Sequence, residues 1–238
     1  MHIYNWTAIF LLPALLLSLY ASGLVKARLQ KYSGIANAAG LTGMEAARLV
    51  LDRNGLSSVG IGQRSGSFTD AYDPRSNTVY LSNAVMGQRS IAAMAVACHE
   101  CGHALQDAEG NWVMSMRNAM VPLVSFSSRI SWLLVVAGVV LLSYNPGAEM
   151  GTVGETLLLA GAICFFVITL FHLLTVPMEL NASKRALVQM ETLGLIRSQE
   201  EETAAKKVLR AAALTYVAAL AVSIANLLRV LALLDRRR

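Results

Sequence analysis

The chain has 238 residues, of which 55% are hydrophobic and 15% charged, and its mean hydropathy is +0.51. Soluble domains carry about 25% charged residues, so this composition excludes an ordinary water-soluble globule and points to a chain embedded in a bilayer. The net charge of +5 does not indicate nucleic acid, because no basic motif interleaved with aromatics occurs and most Lys and Arg flank apolar runs.

In chain order, the first apolar stretch covers residues 8–25, long enough for a helix to cross the hydrocarbon core, with Pro13 as a candidate kink. No Lys or Arg precedes it, so it reads as an uncleaved anchor rather than a signal peptide. Residues 26–120 form the longest polar stretch and the expected catalytic region. Within it, residues 41–52 have helical apolar spacing with Thr42 as N-cap, closed by Asn54-Gly55. Between Val59 and Ser82, turn residues punctuate short β-branched runs, notably Asn77 to Ser82, and predict a small strand-containing element. A helix capped by Ser90 then continues to Gln106. Apolar runs at 121–142 and 156–176, joined by the turn-rich segment 143–151, predict a transmembrane hairpin within residues 121–178. After Pro177, residues 179–210 read as a polar helix, and 211–238 as a last transmembrane or interfacial helix. The fold class expected is a mainly α integral membrane protein. It has three to four transmembrane helices and a small α+β zincin-like catalytic region.

Basic residues set the orientation. Lys26, Arg28 and Lys31 follow the first span, and Lys184, Arg185, Arg197, Lys206, Lys207 and Arg210 follow the third, whereas the hairpin loop has none. Both basic regions are therefore expected on the cytoplasmic side of the membrane, with the hairpin loop outside. Arg229 and the terminal Arg236, Arg237 and Arg238 conflict with a fully spanning last helix. Three cysteines, Cys98, Cys101 and Cys164, do not make a secreted disulfide framework, which suits a site facing the reducing cytoplasm.

His99-Glu100-Cys101-Gly102-His103 matches H-E-x-x-H. On a helix the two histidines lie only about 40° apart around the axis and Glu100 about 60° from His103, so all three share one sector. Two imidazoles so placed grip one zinc ion, expected once per chain. Zinc acidifies a water, and Glu100 can take its proton, direct attack on a peptide carbonyl and return the proton to the leaving amine. Catalytic zinc needs a third protein ligand. No second histidine motif follows His103, so a glutamate is sought. Glu179 is best placed, because two spans return the chain to the same membrane face. Glu191 and Glu200 remain alternatives, as does a purely dipolar role for Glu179 at a helix N-terminus.

Several blocks carry a wider resemblance: Thr69 to Arg75, Val79 to Ser82, Ser90 to Ala93, Ala97 to Gln106, and Glu179 to Ala186. In order and spacing the chain resembles the YugP-like bacterial family of membrane zinc metallopeptidases, related in layout to the gluzincin membrane proteases. The resemblance implies zinc peptidase activity with His99, His103 and Glu179 as ligands and Glu100 as catalyst. Gluzincins commonly carry an aspartate four residues after the glutamate ligand, where this chain has Ser183. Serine can accept from an imidazole N–H but supplies no charge, and Asn181 is a candidate substitute.

Cys98 and Cys101 point away from the histidine face and read as packing residues. His172, inside an apolar run, is either functional or a neutral histidine bonded between helices. Asp107, one turn beyond His103, could orient a ligand, although a solvated surface carboxylate is the preferred reading. The strand at Thr78 to Ser82 could pair with an extended substrate at its edge or be merely structural. The expected function is membrane-bound metalloendopeptidase acting on membrane or membrane-adjacent polypeptides. Rival readings are a zinc-stabilised, non-proteolytic scaffold or chaperone-like factor and, more weakly, a transporter.

Overall fold

A computed structural model describes residues 3–66, 69–144 and 148–235. The Asn145-Pro146-Gly147 turn of the expected hairpin and the terminal arginines lie outside the described residues. The protein is mainly helical with a small three-stranded sheet, and four of its helices are long and apolar enough to cross a membrane. Two compact units form. One draws on the chain up to Tyr20, Met116–Val176 and the chain from Tyr216, and the other on Ala21–Ser115 and Pro177–Thr215.

In the first unit, α5 (Trp112–Tyr144) and α6 (Ala148–Thr192) approach closely through small residues. A Cβ on Gly138 would stand 2.8 Å from the Gly154 carbonyl oxygen, and one on Gly161 2.7 Å from Val135 Cγ2. Between lipid-exposed helices such backbone proximity replaces the hydrophobic drive that water provides elsewhere. Val135, Leu142, Leu158, Ala162 and Phe165 pack here with Val230 of α7 (Gln199–Asp235). Leu133 and Phe166, by contrast, are 70% and 57% exposed, as side chains facing lipid would be. His172 Nδ1 is buried without a hydrogen-bond partner among the described residues and its ring stands edge-on to Phe171 at 5.6 Å, so this nitrogen does not make the interhelical bond that is one of the two readings of this residue.

The second unit contains all three strands, α2 (Gly43–Arg53), the single turn α3 (Asn83–Met86) and α4 (Ile91–Ala108). Thr42 caps α2 in a reciprocal capping box with Glu45, and Gly55 leaves the helix at φ 74°. Ser90 caps α4 by accepting from Ala93 N–H. Both caps match the sequence reading. Around α4, Val50, Leu51, Val79, Leu81 and Met94 pack with Met190 of α6 and Val208 of α7 into one core.

The edge-pairing alternative for the strand at Thr78–Ser82 and the helix boundary expected at Pro177 both fail here. The sheet order is β1-β3-β2, formed by Gly60–Arg64, Thr78–Ser82 and Ala71–Asp73. β3 is therefore the central strand, parallel to β1 and antiparallel to β2, and offers no free edge to a substrate. Its alternation marks a strand but does not reveal how many neighbours it has. The second failure concerns Pro177, which lies inside α6 and does not end it. A proline removes only one helical hydrogen bond, and long membrane-type helices tolerate it when neighbours hold the rest. The helix ends instead at Gly194, φ 64°, where Leu195 N–H bonds to the Met190 carbonyl and Gly194 N–H to that of Glu191, a Schellman closure. Ser198 then caps α7 by accepting from Glu201 N–H. The expected polar helix from 179 onward is thus the end of α6 and the start of α7.

Candidate metal centre

Helix α4 is alanine-rich and buried over most of its surface, so its few polar side chains must find partners within the protein. His99 and His103 stand one turn apart with ring centroids 4.8 Å from each other and planes nearly perpendicular. Glu179 approaches from α6. Its Oε2 lies 3.2 Å from His99 Nε2 and 3.4 Å from His103 Nε2. Among the described residues these three form a group of potential metal ligands, with all ligand atoms within 4.8 Å of one another. Glu191 and Glu200 are exposed and belong to no such group. The dipolar alternative for Glu179 also fails, because the residue lies far inside α6.

The close approach of α4 and α6 depends on Gly102. A Cβ there would stand 2.5 Å from the Ala182 carbonyl oxygen, so only glycine admits the α6 backbone at this distance. The outer nitrogens of the two rings are engaged differently. His99 Nδ1 lies 3.2 Å from Ser183 Oγ, and His103 Nδ1 lies 3.0 Å from Gln106 Oε1. Two imidazole nitrogens and one carboxylate oxygen, turned toward a common point with their outer atoms held, are the donor set of a zinc site that keeps one position open. The residues present therefore fit zinc.

Glu100 is 7% exposed, and its Oε2 accepts from Tyr72 N–H at 3.0 Å. Burial holds its carboxyl above the usual carboxylate range; the charges of His99 and His103 oppose this, while Glu179 and Asp70 add to it. Burial pulls His103 down, but its hydrogen bond to Glu179 and the charges of Glu179 and Glu100 outweigh that and hold it above its ordinary value. Tyr72 also donates from its hydroxyl to Asp107 at 2.8 Å. Asp107 is thus a half-buried anchor for β2 and not the solvated carboxylate expected. Asp70, just before β2, accepts from both the N–H and the hydroxyl of Ser82 at 2.7 and 3.1 Å, which ties the approach to β2 to the end of β3.

Three of these residues escape sequence reasoning in their present roles. Tyr72 acts through its backbone, which no side-chain motif reveals. Gln106 is fully buried and donates to the Met178 carbonyl and to Asn181 Oδ1, each at 2.9 Å. Its position three residues after His103, on the same helical face, was the available signal. Asn181 touches neither histidine and acts one step further out. Cys98 and Cys101 are fully buried, Cys101 pointing to the Ala47 carbonyl at 3.6 Å, and burial pushes the Cys98 thiol up to about 12. Both pack α4 against its neighbours, as their position on the helix predicts.

The pattern of a family described as "Putative neutral zinc metallopeptidase" matches residues 7–235. A Bacillus subtilis (strain 168) protein named "Putative membrane protease YugP" is 43% identical over 218 residues, covering 92% of this chain and 92% of its own length. No solved structure matches the chain. With a match along almost its whole length and the ligand geometry in place, the chain belongs to the family described as putative neutral zinc metallopeptidases.

Proposed function

We propose that this protein is a membrane-bound zinc metalloendopeptidase. In this reading His99, His103 and Glu179 hold one zinc ion per chain, and Glu100 is the general base. The observation that carries it is the convergence of both Nε2 atoms on Glu179 Oε2, on the same helix as a buried carboxylate held by a strand N–H.

When bound, zinc supplies a Lewis acid that acidifies water and polarises a peptide carbonyl. The protein's part is positional. Tyr72 N–H occupies Glu100 Oε2 and leaves Oε1 to take a proton from the attacking water and return it to the leaving amine. Burial around Glu100 excludes bulk water and raises its proton affinity above that of an ordinary carboxylate. Hydrolysis then proceeds without a covalent link to the protein.

The substrate is a polypeptide in or beside the bilayer, and the site faces the cytoplasm of a bacterial cell. Two facts support that side. The unit holding the ligands also holds Lys26, Arg28, Lys31, Lys184, Arg185, Arg197, Lys206, Lys207 and Arg210, the cations expected inside. The cysteines described are all unpaired thiols.

The test is hydrolysis of a panel of unstructured polypeptides by purified, zinc-loaded protein in detergent. Cleavage should stop on chelation and return with added zinc. By metal analysis, Glu179→Ala should lose zinc while Glu191→Ala and Glu200→Ala keep it. Stoichiometric zinc with no cleavage across the panel would replace the peptidase by a zinc-stabilised scaffold. Zinc retained in Glu179→Ala would remove Glu179 from the ligand set.

A further inference from the structure

The partners of Gln106 have a polarity that runs in one direction, beginning at Arg185. A guanidinium only donates hydrogen bonds. Arg185 Nε lies 2.8 Å from Asn181 Oδ1, so the Asn181 amide must present its oxygen there. That same oxygen is 2.9 Å from Gln106 Nε2, and since it only accepts, Gln106 must present its nitrogen. The Met178 carbonyl, also an acceptor only, stands 2.9 Å from the same nitrogen and demands the same orientation. Both protons of the Gln106 amide are thereby used. Its oxygen is left facing His103 Nδ1 at 3.0 Å, and an oxygen that only accepts requires a proton on that nitrogen.

We propose that Arg185, Asn181 and Gln106 form a relay that fixes the His103 ring as its Nδ1–H tautomer and so keeps Nε2 bare toward the metal position. The inference rests on the reading of His103 as a zinc ligand. Flipping the Gln106 amide would set its oxygen against two other oxygens, and with Gln106 fully buried no water relieves the contact. Arg185 is itself held by two bonds to the Glu109 carboxylate, at 2.5 and 2.6 Å. Glu109 caps the C-terminus of α4, so the relay leaves α4, crosses α6 and returns to α4 beside the ligand it orients.

His99 lacks this device. Its Nδ1 faces the Ser183 hydroxyl, which donates or accepts with equal ease and imposes no tautomer. The two ligands therefore differ: His103 is preset and His99 is adaptable. A neutral amide also directs the ring without adding a third negative charge next to Glu100 and Glu179, as an aspartate in its place would. Gln106 and Asn181 are positioning residues in this scheme, acting on the metal only through His103.

The tautomer is read at about pH 9, above the ordinary imidazole pKa, in full-length, zinc-free Glu179→Ala protein in detergent with 15N-labelled histidine. The Glu179 carboxylate, 3.4 Å from His103 Nε2, otherwise competes for a proton there; zinc affinity is read with Glu179 intact. Ring nitrogen shifts report the tautomer, and competition with a chelator reports zinc affinity. In Glu179→Ala, His103 should show Nδ1–H. Asn181→Asp keeps the accepting oxygen and should keep both the tautomer and the affinity. Asn181→Leu removes one of the two acceptors on Gln106 Nε2 and leaves only the Met178 carbonyl to orient the amide, so the share of His103 in the Nδ1–H form should fall and zinc should bind about 10-fold more weakly. Gln106→Leu should weaken zinc to a similar extent, and a retained melting profile in each variant separates this from unfolding.

An Nε2–H tautomer in Glu179→Ala would overturn the proposal, as would equal zinc affinities for Asn181→Asp and Asn181→Leu. Neither readout needs peptide hydrolysis, so an inactive protein would count against the peptidase reading and leave this one standing.

Discussion

Glu100→Gln is expected to keep its zinc and to lose peptide hydrolysis by about 10²- to 10⁴-fold, the range that a positioned general base supplies. The substitution is nearly isosteric. Its amide oxygen can still accept from Tyr72 N–H, so the side chain keeps its place beside His99 and His103. What it loses is the capacity to take a proton. The paired stability measurement makes the result specific. Burial raises the Glu100 pKa in the folded protein, so zinc-free wild type is favoured while the carboxyl is protonated, below about pH 4.3, and loses that contribution as pH rises through the raised value. Glu100→Gln removes this slope and should melt no lower than wild type near neutral pH. The measurement is kcat/KM on a cleaved polypeptide at equal metal content, with melting curves across pH. Unchanged turnover in the mutant would take Glu100 out of the catalytic step.

Gly102→Ala is expected to damage the centre without touching a ligand. By helix propensity alone, alanine should stabilise α4 by about 1 kcal/mol. The new Cβ, however, meets the Ala182 carbonyl oxygen at 2.5 Å, with the carbonyl carbon at 3.1 Å, and backbone atoms cannot rotate away. The helices must separate, at an overpacking cost of about 1–3 kcal/mol, which exceeds the propensity gain. Ala182 is three residues beyond Glu179, so the displacement carries the carboxylate away from both histidines. A misplacement of about 1 Å costs on the order of 10²-fold in rate. Zinc affinity, melting temperature and turnover should therefore all fall in a variant with every ligand intact. A more stable protein with wild-type zinc binding would show that the close approach of α4 and α6 does not require the glycine.

Some of the site is local and was therefore readable in one dimension. His99, Glu100 and His103 share a helical face because the repeat of 3.6 residues puts them there, and the Ser90 and Thr42 caps are local signals of the same kind. Glu179 was reachable by counting membrane crossings and by family resemblance. Spacing alone left Glu191 and Glu200 open; in the structure both are exposed, at the end of α6 and the start of α7, and outside the group that His99, His103 and Glu179 form. The misreading near Pro177 is instructive because the true signals were present. Gly194 marks a helix C-terminus and Ser198 with Glu201 marks the next N-terminus, yet the proline looked like the stronger punctuation. In a long apolar helix one missing hydrogen bond does not outweigh the packing on either side.

By itself, the amino-acid sequence determined the membrane character, the helix that bears the motif and the two histidines, since each follows from composition or from spacing within a single element. Tertiary structure alone decided the strand order that makes β3 central, the Tyr72 N–H on Glu100, and the Gln106 and Asn181 network behind His103. Those features depend on which backbone atoms of one element meet which side chains of another. Such meetings are set by packing distances like the one Gly102 permits, and no periodicity within a single segment encodes them.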